Sequence, residues 1–173
     1  MLPPELLQTA ECLLNNRDGD PTVCDLRRAQ STIYYAMFHC LARNAADMLV
    51  GTDEHTRSRK AWLQVYRALN HNTVFSRCDQ ALIGRFPDAV QEFGDQFKMQ
   101  QLKRHEADYA PTVNLEVEAV RNDLEIVRGV IDDFTAQPEK DRRAFAAYLI
   151  IEQRNEKIIK RTAPITTAET PKP

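Results

Sequence analysis

The sequence predicts an all-α fold, an antiparallel up-and-down bundle of four to five main helices with a C-terminal helical extension. Three observations predict it. Apolar residues recur at steps of three and four, and no stretch alternates apolar with polar as a half-buried strand does. The prolines fall at 3, 4, 21, 87, 111, 138, 164, 171 and 173. A helix interior loses about 3 kcal/mol to a proline, so the helices must lie between them. Glycine occurs only 5 times in 173 residues, too rarely for a turn-rich all-β chain. No segment repeats at a period of about 20–50 residues, which sets solenoids and propellers aside.

Residues 1–20 hold a short helix on Leu6, Ala10, Leu13 and Leu14, ended by the turn-forming run Asn15-Asn16-Arg17-Asp18-Gly19. Asp20-Pro21 reads as an N-cap followed by a first-turn proline. Leu26, Ala29, Ile33, Met37, Cys40, Leu41, Ala45, Met48 and Leu49 then form one long amphipathic helix over about 22–50, closed by Gly51. A third helix, about 57–69, carries Ala61, Trp62, Val65, Tyr66 and Leu69 on its apolar side. The stretch 70–86 is broken and reads as a short helix plus loop. Pro87 opens a helix with Val90, Phe93, Phe97 and Leu102 inward, and the chain turns near Pro111. Leu115 to Phe134 gives another amphipathic helix on Val117, Val120, Leu124, Val127, Val130 and Ile131. Pro138 begins a sixth, through Phe145, Tyr148, Leu149, Ile151 and Ile158. Residues 162–173 read as a disordered tail, leaving 1–161 as a single domain.

Composition removes several function classes. The net charge of −2 gives no bulk attraction to nucleic acid, so any such binding must come from a local patch. No apolar run approaches the roughly 20 residues that span a bilayer, and the N-terminus has no basic n-region, so a soluble cytoplasmic protein without a membrane partner is expected. Cys12, Cys24, Cys40 and Cys78 show no C-x-x-C spacing, and neither a metal nor a cofactor is expected. Signatures of P-loop, dinucleotide, zincin and hydrolase sites are absent from the sequence. Glu116, Glu118, Asp123, Glu125, Asp132 and Asp133 read mostly as a solvated helix face.

The long helix carries the first candidate constellation. With Tyr35 at zero and about 100° per residue, Arg28, Thr32, His39 and Arg43 fall within about 80° of it. This polar stripe is narrow, flanked by Phe38 and Ala42, and lacks the Glu/Lys pairs of a simple wet face. It reads either as a solvent face or as a strip facing a groove or partner. The second constellation is Lys103-Arg104-His105-Glu106-Ala107-Asp108-Tyr109, ahead of Pro111. Cations suit a last helical turn, and Asp108 can cap the next helix. The same set also makes a usable phosphate site, since Arg offers a planar fork and His or Tyr can relay a proton. Arg67-Ala68-Leu69-Asn70-His71 is a weaker arrangement, placed by its pattern at a helix end. Two basic clusters, Arg57, Arg59, Lys60 and Arg67 and then Arg154, Lys157, Lys160 and Arg161, fit a solvated face or a phosphate track.

The pattern Arg28-Ala29, Tyr34-Tyr35-Ala36-Met37-Phe38-His39, then Phe93 and Phe97, then Arg104-His105-Glu106-Ala107-Asp108-Tyr109 resembles the HEPN superfamily of small helical domains. It is closest to the branch with R…YYAxFH on one helix and RxxADY before the next, over roughly residues 20–135. The resemblance implies a helical bundle, usually a homodimer, that binds RNA or nucleotides. Several such proteins are metal-independent endoribonucleases of toxin or defence type, paired with a nucleotidyltransferase antitoxin. It implies catalytic roles for Arg104, Tyr109, His39 and Tyr35 and substrate contacts for Arg28, His105 and Asp108. The nuclease signature is Arg, four to six residues, then His. No His follows Arg104 at that spacing, and Tyr109 takes the first permitted slot. The other reading is a non-catalytic dimerisation or partner-binding module.

Overall fold

The computed structural model describes residues 2–15 and 19–151. Over them the chain forms seven α-helices and no strand: α1 Pro3–Asn15, α2 Val23–Val50, α3 Arg59–Ala68, α4 His71–Cys78, α5 Asp88–Tyr109, α6 Val117–Thr135 and α7 Glu139–Ile150. A 3-10 turn, Ala81–Arg85, joins α4 to α5. The expected all-α bundle is therefore present. The tail 162–173, Ile158, the cluster at 154–161 and the turn residues 16–18 lie outside the described residues.

The centre of the bundle is α2, against which α1, α3, α5, α6 and α7 all pack. Its composition explains this. Ala29, Ala36, Ala42, Ala45 and Ala46 are fully buried and let neighbouring helices approach closely, while Ile33, Met37 and Leu41 fill the space between. The helix starts two residues later than Asp20-Pro21 suggests. Thr22 is the N-cap: its hydroxyl accepts from Asp25 N at 3.2 Å, and its own amide donates to Asp25 Oδ2 at 3.0 Å. This reciprocal pair satisfies two backbone donors that a proline at the first position could not organise. Thr22→Ala is expected to cost about 1 kcal/mol, read as a lower denaturation midpoint with unchanged slope. At the other end Gly51, at φ 129, takes the chain out of the helix in a conformation that a side chain disfavours.

An aromatic layer locks α5, α6 and α7 together. Phe93 and Phe134 meet at 4.7 Å between ring centres, and Phe134 and Phe145 at 6.0 Å edge-on. Phe145 is wholly buried, so α7 is a member of the core and not an appendage. Two inward and outward assignments change. Leu102, expected inside, is 58% exposed. Asp123, expected in the solvated acidic face, is buried, and both its oxygens accept from Lys103 Nζ at 2.6 and 2.7 Å. Asn70 caps α4 by accepting from the amides of Asn72 and Thr73, which fixes His71 in the first turn of that helix. Among the described residues no helix is long and apolar enough to cross a membrane.

Candidate functional site

The two sequence-distant constellations meet where α2 and α5 pack. Arg104 Nη2 donates to Tyr35 Oη at 3.0 Å. The guanidinium carbon lies 5.6 Å from the Tyr35 ring centre and 5.7 Å from that of Tyr109, so the cation lies close to both aromatic rings. Arg104 Nε lies 2.8 Å from Asp108 Oδ2, one turn further along α5, but at an angle that makes an ion pair without a hydrogen bond. Asp108 Oδ1 accepts from Ser31 Oγ of α2 at 2.6 Å. Asp108 is thus a cross-link between α2 and α5 and does not cap the following helix, where Glu116 stands at the N-cap position.

Arg27 holds the end of α5 in place. Its Nη1 donates to Ala107 O at 3.0 Å and its Nη2 to Ala110 O at 2.7 Å, taking up carbonyls left open by the helix terminus. The neighbouring Arg28, the arginine of the sequence motif, is exposed and its side chain reaches none of these groups. His105 makes no hydrogen bond or ion pair among the described residues. Its ring lies 4.9 Å from Tyr109, and Tyr109 is 65% exposed.

Two histidines line the same side of α2. His71 places Nδ1 2.5 Å from Tyr34 Oη, with its ring 3.9 Å from Phe38 and 6.2 Å from Tyr35. His39 places Nδ1 2.6 Å from Tyr66 Oη on α3, with its ring 6.3 Å from Tyr35. In each case a tyrosine hydroxyl occupies one ring nitrogen, and Nε2 keeps no protein partner among the described residues. Burial holds both imidazoles below their ordinary pKa, and for His71 the Arg104 charge and then His39 push the same way. Both are therefore neutral at pH 7. Burial pushes the Tyr34 hydroxyl upward, so it stays protonated against His71.

The sign of the linkage is fixed by these directions. The unfolded chain binds protons at these histidines at a higher pH than the folded chain does. Their contribution to stability is whole above about pH 6.5 and is lost as pH falls from there toward the folded pKa. Thermal melts from pH 8 to pH 5 are expected to show a flat region followed by a decline, with the decline shallower in His71→Phe.

His71 reads from the sequence as a helix-end histidine, expected there for dipole reasons, whereas the Asn70 cap makes it the first residue of α4, beside Tyr34 and Phe38. Among the described residues, no three His, Cys, Asp or Glu side chains gather as a metal-ligand set. No family model, no curated protein and no solved structure matches the chain. What the chain can do is therefore read from the geometry of this site and from the two short motifs that compose it.

Proposed function

We propose that the protein is a HEPN-like RNA-associated protein whose Arg104–Tyr35 site holds an RNA phosphate and cleaves beside it without a metal. The observation that carries the reading is the single guanidinium close to two tyrosine rings, with Nη1 left unpartnered among the described residues and two neutral imidazoles alongside. An arginine so held is a preorganised donor for a phosphoryl oxygen. His71, in the tautomer whose Nδ1–H donates to Tyr34 Oη while the Tyr34 hydroxyl donates to Gln101 Oε1, takes the proton from a 2′-hydroxyl on Nε2 and gives it up to solvent after the reaction. The freed oxygen attacks phosphorus, the bond to the 5′-oxygen breaks, and that oxygen leaves with a proton from water or from the Tyr109 hydroxyl, which the exposed tyrosine recovers from solvent. Arg104 balances the charge on the phosphorane. The products are a 2′,3′-cyclic phosphate and a 5′-hydroxyl. His39 lies further along the same wall and Tyr35 orients Arg104.

The test is incubation of pure protein with tRNA and total RNA in EDTA, with product ends assigned. Cleavage with cyclic-phosphate ends that disappears in Arg104→Ala supports the reading. Absence of cleavage by the wild type, or equal cleavage by the variant, removes the enzymatic form. One observation favours a second reading, a non-catalytic dimerisation or partner-binding module, such as one paired with a nucleotidyltransferase. Asp108 is fully committed to Ser31 and Arg104, so part of the cluster already satisfies itself across the α2–α5 contact. RNA neither bound nor cleaved would favour that module.

A further inference from the structure

We propose that the cavity between α2 and α3 is a second RNA subsite, which takes one nucleotide of a single strand whose phosphate about three to four nucleotides along lies on Arg104. The inference rests on the RNA reading above. The cavity encloses about 430 Å³, within the range of small-ligand sites. Arg43, Arg57, Arg59 and Arg67 line it, against Glu54 as the one carboxylate.

These cations are not equivalent. Asp47 ties down two of them: it accepts from Arg57 Nη1 at 3.2 Å and pairs with Arg43 Nε at 3.4 Å, and it also accepts from Trp62 Nε1 at 2.8 Å. Arg57 then lies 4.6 Å over the Trp62 ring. Trp62 stacks on Tyr66 at 5.1 Å, and Tyr66 on His39 at 5.9 Å. The result is a fixed column, Arg57–Trp62–Tyr66–His39, that forms a rigid aromatic wall. Arg59 and Arg67 are different. Both are exposed and neither has a partner among the described residues. They share one face of α3 with Trp62 and Tyr66, at positions i, i+3, i+7 and i+8.

An apolar wall beside two uncommitted guanidiniums fits a ligand with a flat base and a phosphate. A recess of this size receives a splayed nucleotide, and a base-paired helix does not offer one, so the strand is single. The location supplies the link to Arg104. Tyr66 belongs to the cavity and also bonds to His39, which neighbours Tyr35. From Tyr35 to Arg43 is roughly 12 Å along α2, at about 1.5 Å per residue. A stacked strand covers that distance in about three to four nucleotides at ~3.4 Å each.

The chain has a single tryptophan, Trp62, so its fluorescence reports the cavity directly. The experiment titrates the full chain with a short single-stranded RNA, following both Trp62 emission and RNA anisotropy over a range of salt. It compares wild type, Arg59→Ala/Arg67→Ala, and a control of equal charge loss, Arg85→Ala/Lys140→Ala, at exposed cations elsewhere. All three are first shown to melt alike. The proposal expects Trp62 emission to change on binding. It also expects the cavity variant, but not the control, to lose about tenfold in affinity and about 1.4 from the log K against log salt slope, two single-strand phosphate contacts. If RNA binds while Trp62 is silent and the cavity variant matches the control, the subsite is refuted and the RNA reading stands. If the wild type binds no RNA, both fall together.

Discussion

Arg104→Ala is expected to lower RNA cleavage by about 10²–10³-fold, the loss typical when one preorganised donor to a developing oxyanion is removed. The geometry sets the size of the effect. Arg104 bonds to Tyr35 through Nη2, lies close to both the Tyr35 and Tyr109 rings, and leaves Nη1 without a partner among the described residues. Among the described residues the nearby cations are engaged elsewhere: Arg27 is used up on the α5 carbonyls, and Lys103 on Asp123. Arg104→Lys should recover little, because an ammonium cannot keep the Tyr35 bond and present a planar fork at once. A merely structural Arg104 would give a different pattern, a lower melting temperature with cleavage reduced only in proportion to the unfolded fraction. Cleavage rate and thermal melt measured on the same samples separate the two.

Phe97→Ala is expected to destabilise the fold by about 3–5 kcal/mol, a large share of the ~5–15 kcal/mol that holds a typical domain together. Phe97 is wholly buried and its ring lies 5.4 Å from Tyr34. Truncation opens a cavity at the α2–α5 contact and removes the support behind the Tyr34–His71 bond. Chemical denaturation should show the lower midpoint. Residual folded protein should show weaker histidine coupling, seen as a His71 imidazole titrating closer to its ordinary pKa. Phe97→Leu, which refills most of the volume, should restore both in part.

Helix existence and the central place of α2 were legible in the sequence because alanine and β- or γ-branched residues recur at helical spacing over its whole length. The same periodicity explains the misassignments. Leu102 is five positions beyond Phe97, about 140° round the helix, so its apolar character pointed inward while its place on the helix pointed out. Asp123 shares the inward face with Val120, Leu124 and Val127, and its charge concealed a buried position that Lys103 makes tolerable. At the site, the stripe placed Tyr35 and His39 on one line, but no rule of spacing foretells that Arg104 lands on Tyr35. That depends on Arg27 gripping the end of α5, a contact between residues 80 apart. His71 was hidden for a more local reason, since only the Asn70 cap distinguishes a helix start there from a helix end.

The proposed site has at its centre an RNA phosphate on Arg104, beside Tyr35 and Tyr109. Photocross-linking of full-length protein to a short thiouridine-containing RNA, with cross-linked peptides read by mass spectrometry, addresses it most directly. Adducts on the peptide containing Tyr34, Tyr35 and His39 and on the peptide containing Tyr109, both lost in Arg104→Ala, are the expected result. Adducts confined to the outer faces of α1 and α6, and unchanged by that substitution, would contradict it.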